Sequence, residues 1–245
     1  MAHDRVHDPK AGEAPRSFGS GRIGLVVALP GELGALHGLL STRRSRSSIE
    51  YFEGEIGGRE LLAIVAGVGK VRAAAAATIL VEAGVPGGLL SAGVCGGLRR
   101  SQRIGDLVHC TRAVQADLAV RGDRECEPDP RLIQAWQQAA PGRAGWFLTA
   151  DRPALSVWRR IRLARAYGGD PVAEMETGAI AAVAKATQTP WAGLRAISDE
   201  LDVRSLGFGR RASFAANYPA QAGRAAATLP QLFEELGRLP LGWID

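Results

Sequence analysis

Carboxylates stand where this sequence predicts strands to end. Glu32 follows the first apolar run, Glu174 and Glu176 bracket Met175 after a short one, and Ser198-Asp199 close the run that begins at Trp191. One carboxylate at a strand end is usually a helix cap or a solvated turn. Several at one edge of one sheet are harder to explain that way, because ligands of α/β sheets bind beyond the carboxyl ends of the strands. Histidine is nearly absent: of four, His3 and His7 lie near the start, leaving His37 and His109 in the body. A His-centred triad or a zinc site is therefore not expected. Cys95, Cys110 and Cys126 show neither a disulfide framework nor paired metal spacing. Carboxylates without histidine suit acid-assisted cleavage of a glycosidic bond, in which one group protonates the leaving group and another activates water.

Positioning such groups requires strands alternating with helices. Residues 23–29 predict a strand buried on both faces, and 33–40 have helical character. Residues 49–56 and 60–66 predict a hairpin across Gly57-Gly58. Further strands are predicted over 88–92, 104–112, 146–149, 172–174 and 191–198. Helices are predicted over 70–83, 130–139, 156–167 and 176–187. A last helix is expected within 212–236, broken or late-starting because of Pro219 and Pro230. The pattern is α/β: a three-layer αβα sandwich around a central mixed, largely parallel β-sheet. Residues 1–21, rich in charge, Gly, Pro and Ser, read as a flexible leader, and 22–245 as one domain.

Composition narrows the partners. The chain has 245 residues, 46% hydrophobic and 22% charged, with a net charge of +5. That is ordinary for a globular protein and too apolar for intrinsic disorder. No apolar run reaches the roughly 18 residues of a membrane span, and the expected location is cytoplasmic. The arginine clusters 43–46, 99–103 and 159–162 are short and poor in aromatics, so they read as solvated loops and helix faces rather than a nucleic-acid surface. The stretch 66–71 lacks the first glycine and the Ser/Thr of a phosphate loop. Residues 93–97 lack the dinucleotide spacing. No cofactor and no metal is implied.

Five motifs occur in order: Ala66-Gly-Val-Gly-Lys-Val-Arg-Ala-Ala-Ala75, Ser91-Ala-Gly-Val-Cys-Gly-Gly-Leu98, Ile104-Gly-Asp-Leu-Val108, Glu174-Met-Glu-Thr-Gly-Ala-Ile180 and Arg195-Ala-Ile-Ser-Asp199. Together they resemble the purine nucleoside phosphorylase/nucleosidase superfamily, and within it 5′-methylthioadenosine/S-adenosylhomocysteine nucleosidase, over residues 22–236. The resemblance implies that Asp199 is the acid that protonates purine N7. It implies that Glu176 holds the ribose hydroxyls and that Met175 packs on the sugar. Glu32 would activate the attacking water, with Arg195 orienting it. Glu174, Ser198 and the backbone around Ser91, Gly93 and Val94 would border the ligand, and the loop 149–153, with Asp151 and Pro153, would read the base edge. An aspartate acid must be buried or set near other carboxylates to keep its proton at neutral pH. The resemblance also implies a homo-oligomer, a dimer in preference to a monomer.

Attack by water or by phosphate divides the superfamily. The arginines with which its phosphorylases bind phosphate fall here at about Ala35 and Ser91, which cannot make bidentate contacts, and Glu32 would repel phosphate. Hydrolysis is favoured. Arg210-Arg211 and the likeness of Gly31-Glu32 to the phosphorylase Pro-Gly-Asp loop leave phosphorolysis as the alternative. Val94 stands where these nucleosidases keep a small hydroxyl residue, and Pro153 where an aromatic stacks on the base. Phe208 or Phe214 would line the 5′ side. Futalosine or adenosylhopane hydrolysis, and nucleoside binding without cleavage, are further alternatives.

Overall fold

The computed structural model describes residues 21–40, 42–46, 49–120, 124–201 and 210–237. Apart from Gly21, the expected leader lies outside these residues, as does Phe208.

Strand β1 (Ile23–Val27) is buried throughout, as an apolar run between two helical layers must be. Its side chains alternate between two cores. Ile23, Leu25 and Val27 enter one, and Val26 the other. Two short 3-10 turns, Pro30–Glu32 and Gly34–Gly38, follow in place of a regular helix. The wing of the sheet is β2 (Thr42–Arg46), β3 (Ile49–Ile56) and β4 (Arg59–Val65), joined antiparallel, with β4 parallel to β1. Thus the arginine cluster 43–46, read from sequence as solvated loop or helix face, is an edge strand.

Helix α1 (Lys70–Glu82) leads to β5 (Leu89–Gly97), which runs through the glycine cluster rather than ending at Ala92. Then come β6 (Leu107–Gln115), β7 (Glu125–Cys126), α2 (Pro130–Ala139), β8 (Arg143–Thr149), α3 (Val157–Ala166), β9 (Val172–Glu174), α4 (Thr177–Ala186) and β10 (Trp191–Asp199). The chain continues as α5 (Arg210–Ala226) and α6 (Thr228–Gly237). The expected break falls at Ala227. Pro219 lies inside α5, and Pro230 sits in the first turn of α6, where its missing N–H has no helical partner to lose.

Among the described residues, five of the ten strand pairings are parallel and five antiparallel. The mixed sheet is as expected, with a larger antiparallel share. Helices α2 and α6 cover one face with Leu132, Trp136, Leu232 and Phe233; α1 and α4 cover the other with Ala73, Leu80, Ile180 and Ala184. Each of the Leu, Ile and Phe side chains among these contributes about 1.5–3 kcal/mol on burial.

Strand β5 organises the site. It pairs with β1 from Leu89 to Ser91, and its Gly96 and Gly97 then pair with β9 on that side. Its other edge runs parallel to β10. Strand β10 pairs with β6, β6 with β8 and β8 with β9, so five strands close on themselves. Where β1 and β5 part company, the turn carrying Glu32 enters the gap.

Candidate active site

A cleft at the carboxyl ends of β1, β5, β9 and β10 is lined by Glu32, Val94, Met175, Glu176, Ser198 and Asp199. These residues, all named from sequence, meet at one place with Glu174, Pro153 and Phe214, and each carboxylate is held there by identifiable contacts.

Glu32 is 4% exposed. Its Oε2 accepts from the N–H groups of Ala28 (2.8 Å) and Leu29 (3.0 Å), and its Oε1 from that of Val94 (3.1 Å). A Cβ at residue 93 would collide with this carboxylate, so Gly93 serves as clearance for Glu32. Burial pushes the Glu32 carboxyl above the ordinary range, against the lowering effect of Arg195 and the three N–H groups.

The turn from β9 into α4 places three residues differently. Glu174 is wholly engaged by protein. Its Oε2 accepts from the N–H groups of Glu176 (3.0 Å) and Thr177 (2.7 Å) and from Arg195 Nη2 (3.1 Å), and its Oε1 accepts from the Thr149 hydroxyl. The carboxylate satisfies the first N–H groups of α4. Glu174 is among the residues that line the cleft, and these contacts also hold the turn and Arg195 in place. Glu176 lines the cleft, and its Oε1 accepts from Gly69 N–H (3.0 Å). Gly69 turns its N–H there with φ +104, a conformation open to glycine. Burial and the charge of Glu174 push the Glu176 carboxyl up to about 7, although Arg195 pulls the other way.

Arg195, 2% exposed, reaches from β10 into this carboxylate cluster. Besides Glu174, its Nη2 donates to Ser91 Oγ (3.0 Å) and lies 3.8 Å from Glu176 Oε2. Its Nε is buried with no protein partner among the described residues. Ser91 shares its hydroxyl with Thr177 Oγ1 (3.1 Å) behind Arg195, so it braces the arginine and does not border the cleft.

Asp199 ends β10, 7% exposed. The Ser198 hydroxyl lies 3.2 Å from its Oδ1 and 3.1 Å from the Cys95 carbonyl oxygen. Its other oxygen is ion-paired with Arg160 of α3. From the charge pattern 159–162 reads as a solvated helix face, and Arg160 is a correction to that reading. The signal was in the spacing: Val157, Arg160 and Ala164 form the buried stripe of α3.

Asp151 also departs from expectation. Its Oδ1 accepts from Lys70 N–H (2.9 Å) and caps α1, while its own N–H donates to Asp117 (3.0 Å). It anchors the loop, whose Arg152, Pro153, Ala154 and Leu155 line the cleft. Phe214 lines the cleft as well, and its ring packs at 5.5 Å from that of Tyr218. Tyr218 gave no signal in the sequence. Burial and the nearby Glu32 charge push its phenol up to about 12. His109 is a core residue whose Nε2 lies 2.8 Å from the Ala140 carbonyl oxygen. Among the described residues no cluster of three or more His, Cys, Asp or Glu side chains is arranged to hold a metal ion.

The fold and this carboxylate-lined cleft define a class, and comparison with known families agrees: residues 22–234 match the Phosphorylase superfamily, to which the chain belongs. A curated relative, the 5′-methylthioadenosine/S-adenosylhomocysteine nucleosidase of Halalkalibacterium halodurans, is 30% identical over 196 residues, covering 73% of this chain and 85% of the relative. The crystal structure of S-adenosylhomocysteine nucleosidase from Streptococcus pyogenes, in complex with 5-methylthiotubericidin, superposes with a TM-score of 0.80 at 26% identity. It covers 90% of this chain and 99% of its own. Futalosine hydrolase of Helicobacter pylori, 22% identical with a TM-score of 0.79 over 88% of this chain and 98% of its own, shares the fold. Within the superfamily, the chain falls in the nucleosidase branch, and its activity is that of an N-glycosidase.

Proposed function

We propose that this chain hydrolyses the N-glycosidic bond of a 5′-substituted adenosine, 5′-methylthioadenosine or S-adenosylhomocysteine, and releases the free base. The observation that carries the reading is the convergence of Glu32, Glu176 and Asp199 from three strand ends on one cleft. Asp199 gives a proton to the purine as the bond to the sugar breaks. Glu176 binds the ribose hydroxyls, and its ionised form stabilises the oxocarbenium-like transition state. Met175 packs on the sugar. Glu32 takes a proton from the attacking water, a role that its raised proton affinity suits, and Arg195 Nε offers that water a donor. Water is the nucleophile because neither Ala35 nor Ser91 supplies a guanidinium for phosphate.

The working unit is a homodimer on this reading. Val68 lines the cleft, and Val71, in the first turn of α1, is 80% exposed, so a second copy would cover an apolar strip beside the site. Sedimentation of the purified chain measures this directly. The cytoplasmic assignment rests on three free, buried cysteines, and no helix among the described residues is long and apolar enough to cross a membrane.

The functional test is incubation with methylthioadenosine, adenosylhomocysteine, futalosine, adenosine and inosine, with and without phosphate. Release of adenine from the first two without phosphate is the expected result. Release only with phosphate, or binding without release, overturns the proposal.

A further inference from the structure

A helix face offers an arginine water at no cost, yet Arg160 is 3% exposed. What it gains inside is a set of acceptors from three separate segments. Its Nε donates to the Ala154 carbonyl oxygen (2.6 Å) in the loop after β8. Its Nη1 donates to the Gly97 carbonyl oxygen at the end of β5 (3.0 Å) and lies near those of Asp199 (3.3 Å) and Glu200 (3.4 Å). Its Nη2 holds Oδ2 of Asp199. A buried guanidinium paired in this way is rigid, and its loss would leave a buried carboxylate uncompensated.

The pairing makes the two oxygens of Asp199 unlike. Oδ2 faces a group that only donates, so a proton on Oδ2 would meet an N–H head-on. Oδ1 faces the Ser198 hydroxyl, which has a single hydrogen for two acceptors, Oδ1 and the Cys95 carbonyl oxygen. With that hydrogen turned to the carbonyl, Oδ1 is left to carry a proton.

We infer that Arg160 is a positioning residue for proton delivery: by occupying Oδ2 it confines the transferable proton of Asp199 to Oδ1, and through Ala154 it fixes the base-side loop to the same guanidinium. The inference rests on the reading of Asp199 as the leaving-group acid. In the step, the proton passes from Oδ1 to a ring nitrogen of the base while the electron pair of the C1′–N bond leaves with the base. Asp199 is left as a carboxylate whose charge Arg160 already faces, and no oxidation or reduction occurs.

The experiment compares two leaving groups on the same sugar in Arg160→Gln, Arg160→Lys and Asp199→Asn. One substrate is 5′-methylthioadenosine, and the other is a nitrophenyl riboside with the same 5′ substituent, whose nitrophenolate departs without protonation. The Arg160 variants are expected to lose kcat on the nucleoside about 10–100-fold, with KM within about threefold. Loss on the nitrophenyl riboside should stay below about threefold. A merely structural role would lower both substrates alike, and that result, or no loss on either, overturns the inference. Should Arg160→Gln fail to fold, as judged by circular dichroism, Arg160→Lys decides by the same ratio. If Asp199→Asn is selective for the nucleoside and the Arg160 variants are not, the inference falls and the acid reading stands. If Asp199→Asn leaves nucleoside turnover intact, the acid reading itself falls and takes the inference with it.

Discussion

Replacing Glu176 by glutamine should make the folded chain more stable in mild alkali while impairing its turnover. The carboxyl titrates at about 7 in the folded chain, against an ordinary value of 4.5. Between those two values the folded chain keeps a proton that the unfolded chain has released, so stability falls as pH rises across that interval. At 1.36 kcal/mol for each tenfold change in proton affinity, ionised Glu176 costs the fold about 3 kcal/mol above pH 7, and less than about 1 kcal/mol at pH 5. Glutamine resembles the protonated acid and keeps an oxygen for the Gly69 N–H. The stability of Glu176→Gln relative to the parent should therefore improve by about 2–3 kcal/mol between pH 5 and pH 8. In thermal melts this is roughly 5–10 °C for a chain of this length. Urea denaturation at the two pH values measures the difference, and kcat/KM on the same preparations measures the accompanying loss. A variant whose advantage over the parent does not grow with pH would refute the argument that Glu176 is held ionised against its surroundings.

Asp199→Asn keeps an acceptor for Arg160 but has no acid proton, so kcat should fall about 10²–10⁴-fold with the far-ultraviolet spectrum unchanged. Gly93→Ala puts a methyl group into the Glu32 carboxylate, which three N–H groups hold in place; destabilisation of about 1–3 kcal/mol and loss of most turnover are expected in denaturation and rate measurements. Glu174→Ala leaves Arg195 without its shortest carboxylate contact and uncaps α4; a loss of about 3–5 kcal/mol should appear as a lowered urea midpoint.

Carboxylates at strand ends were legible because both signals are local: an apolar run marks the strand, and the polar residue that ends it faces the cleft. The same logic cannot tell a carboxylate that faces a ligand from one that faces the protein. Glu174 and Glu176 are two residues apart and both line the cleft, and only the folded turn shows that the first accepts the helix N–H groups while the second accepts from Gly69 N–H. Asp151 was misplaced for a related reason, since the helix it caps begins 81 residues earlier in the chain. Arg160 was obscured by its neighbours, because charge density over 159–162 suggested solvent while the spacing Val157-Arg160-Ala164 pointed inward. In the wing, arginine-rich β2 has no apolar alternation to announce it, and its strand character comes from pairing with β3.

The five-strand closure around β5 divides the chemistry of the cleft between two mechanical bodies. The residues assigned to the proton and the sugar, Asp199, Met175 and Glu176, are carried by strands of the ring or by the turn that leaves it. The attacking base stands outside the ring: Glu32 follows β1 and accepts from the Val94 N–H of β5 beside Gly93. A change of nucleophile thus centres on one short turn and its neighbours on α5, and the ring hydrogen bond it touches is that of Val94 N–H. A scaffold so arranged concentrates the attacking base in one turn, apart from the strand that carries the acid.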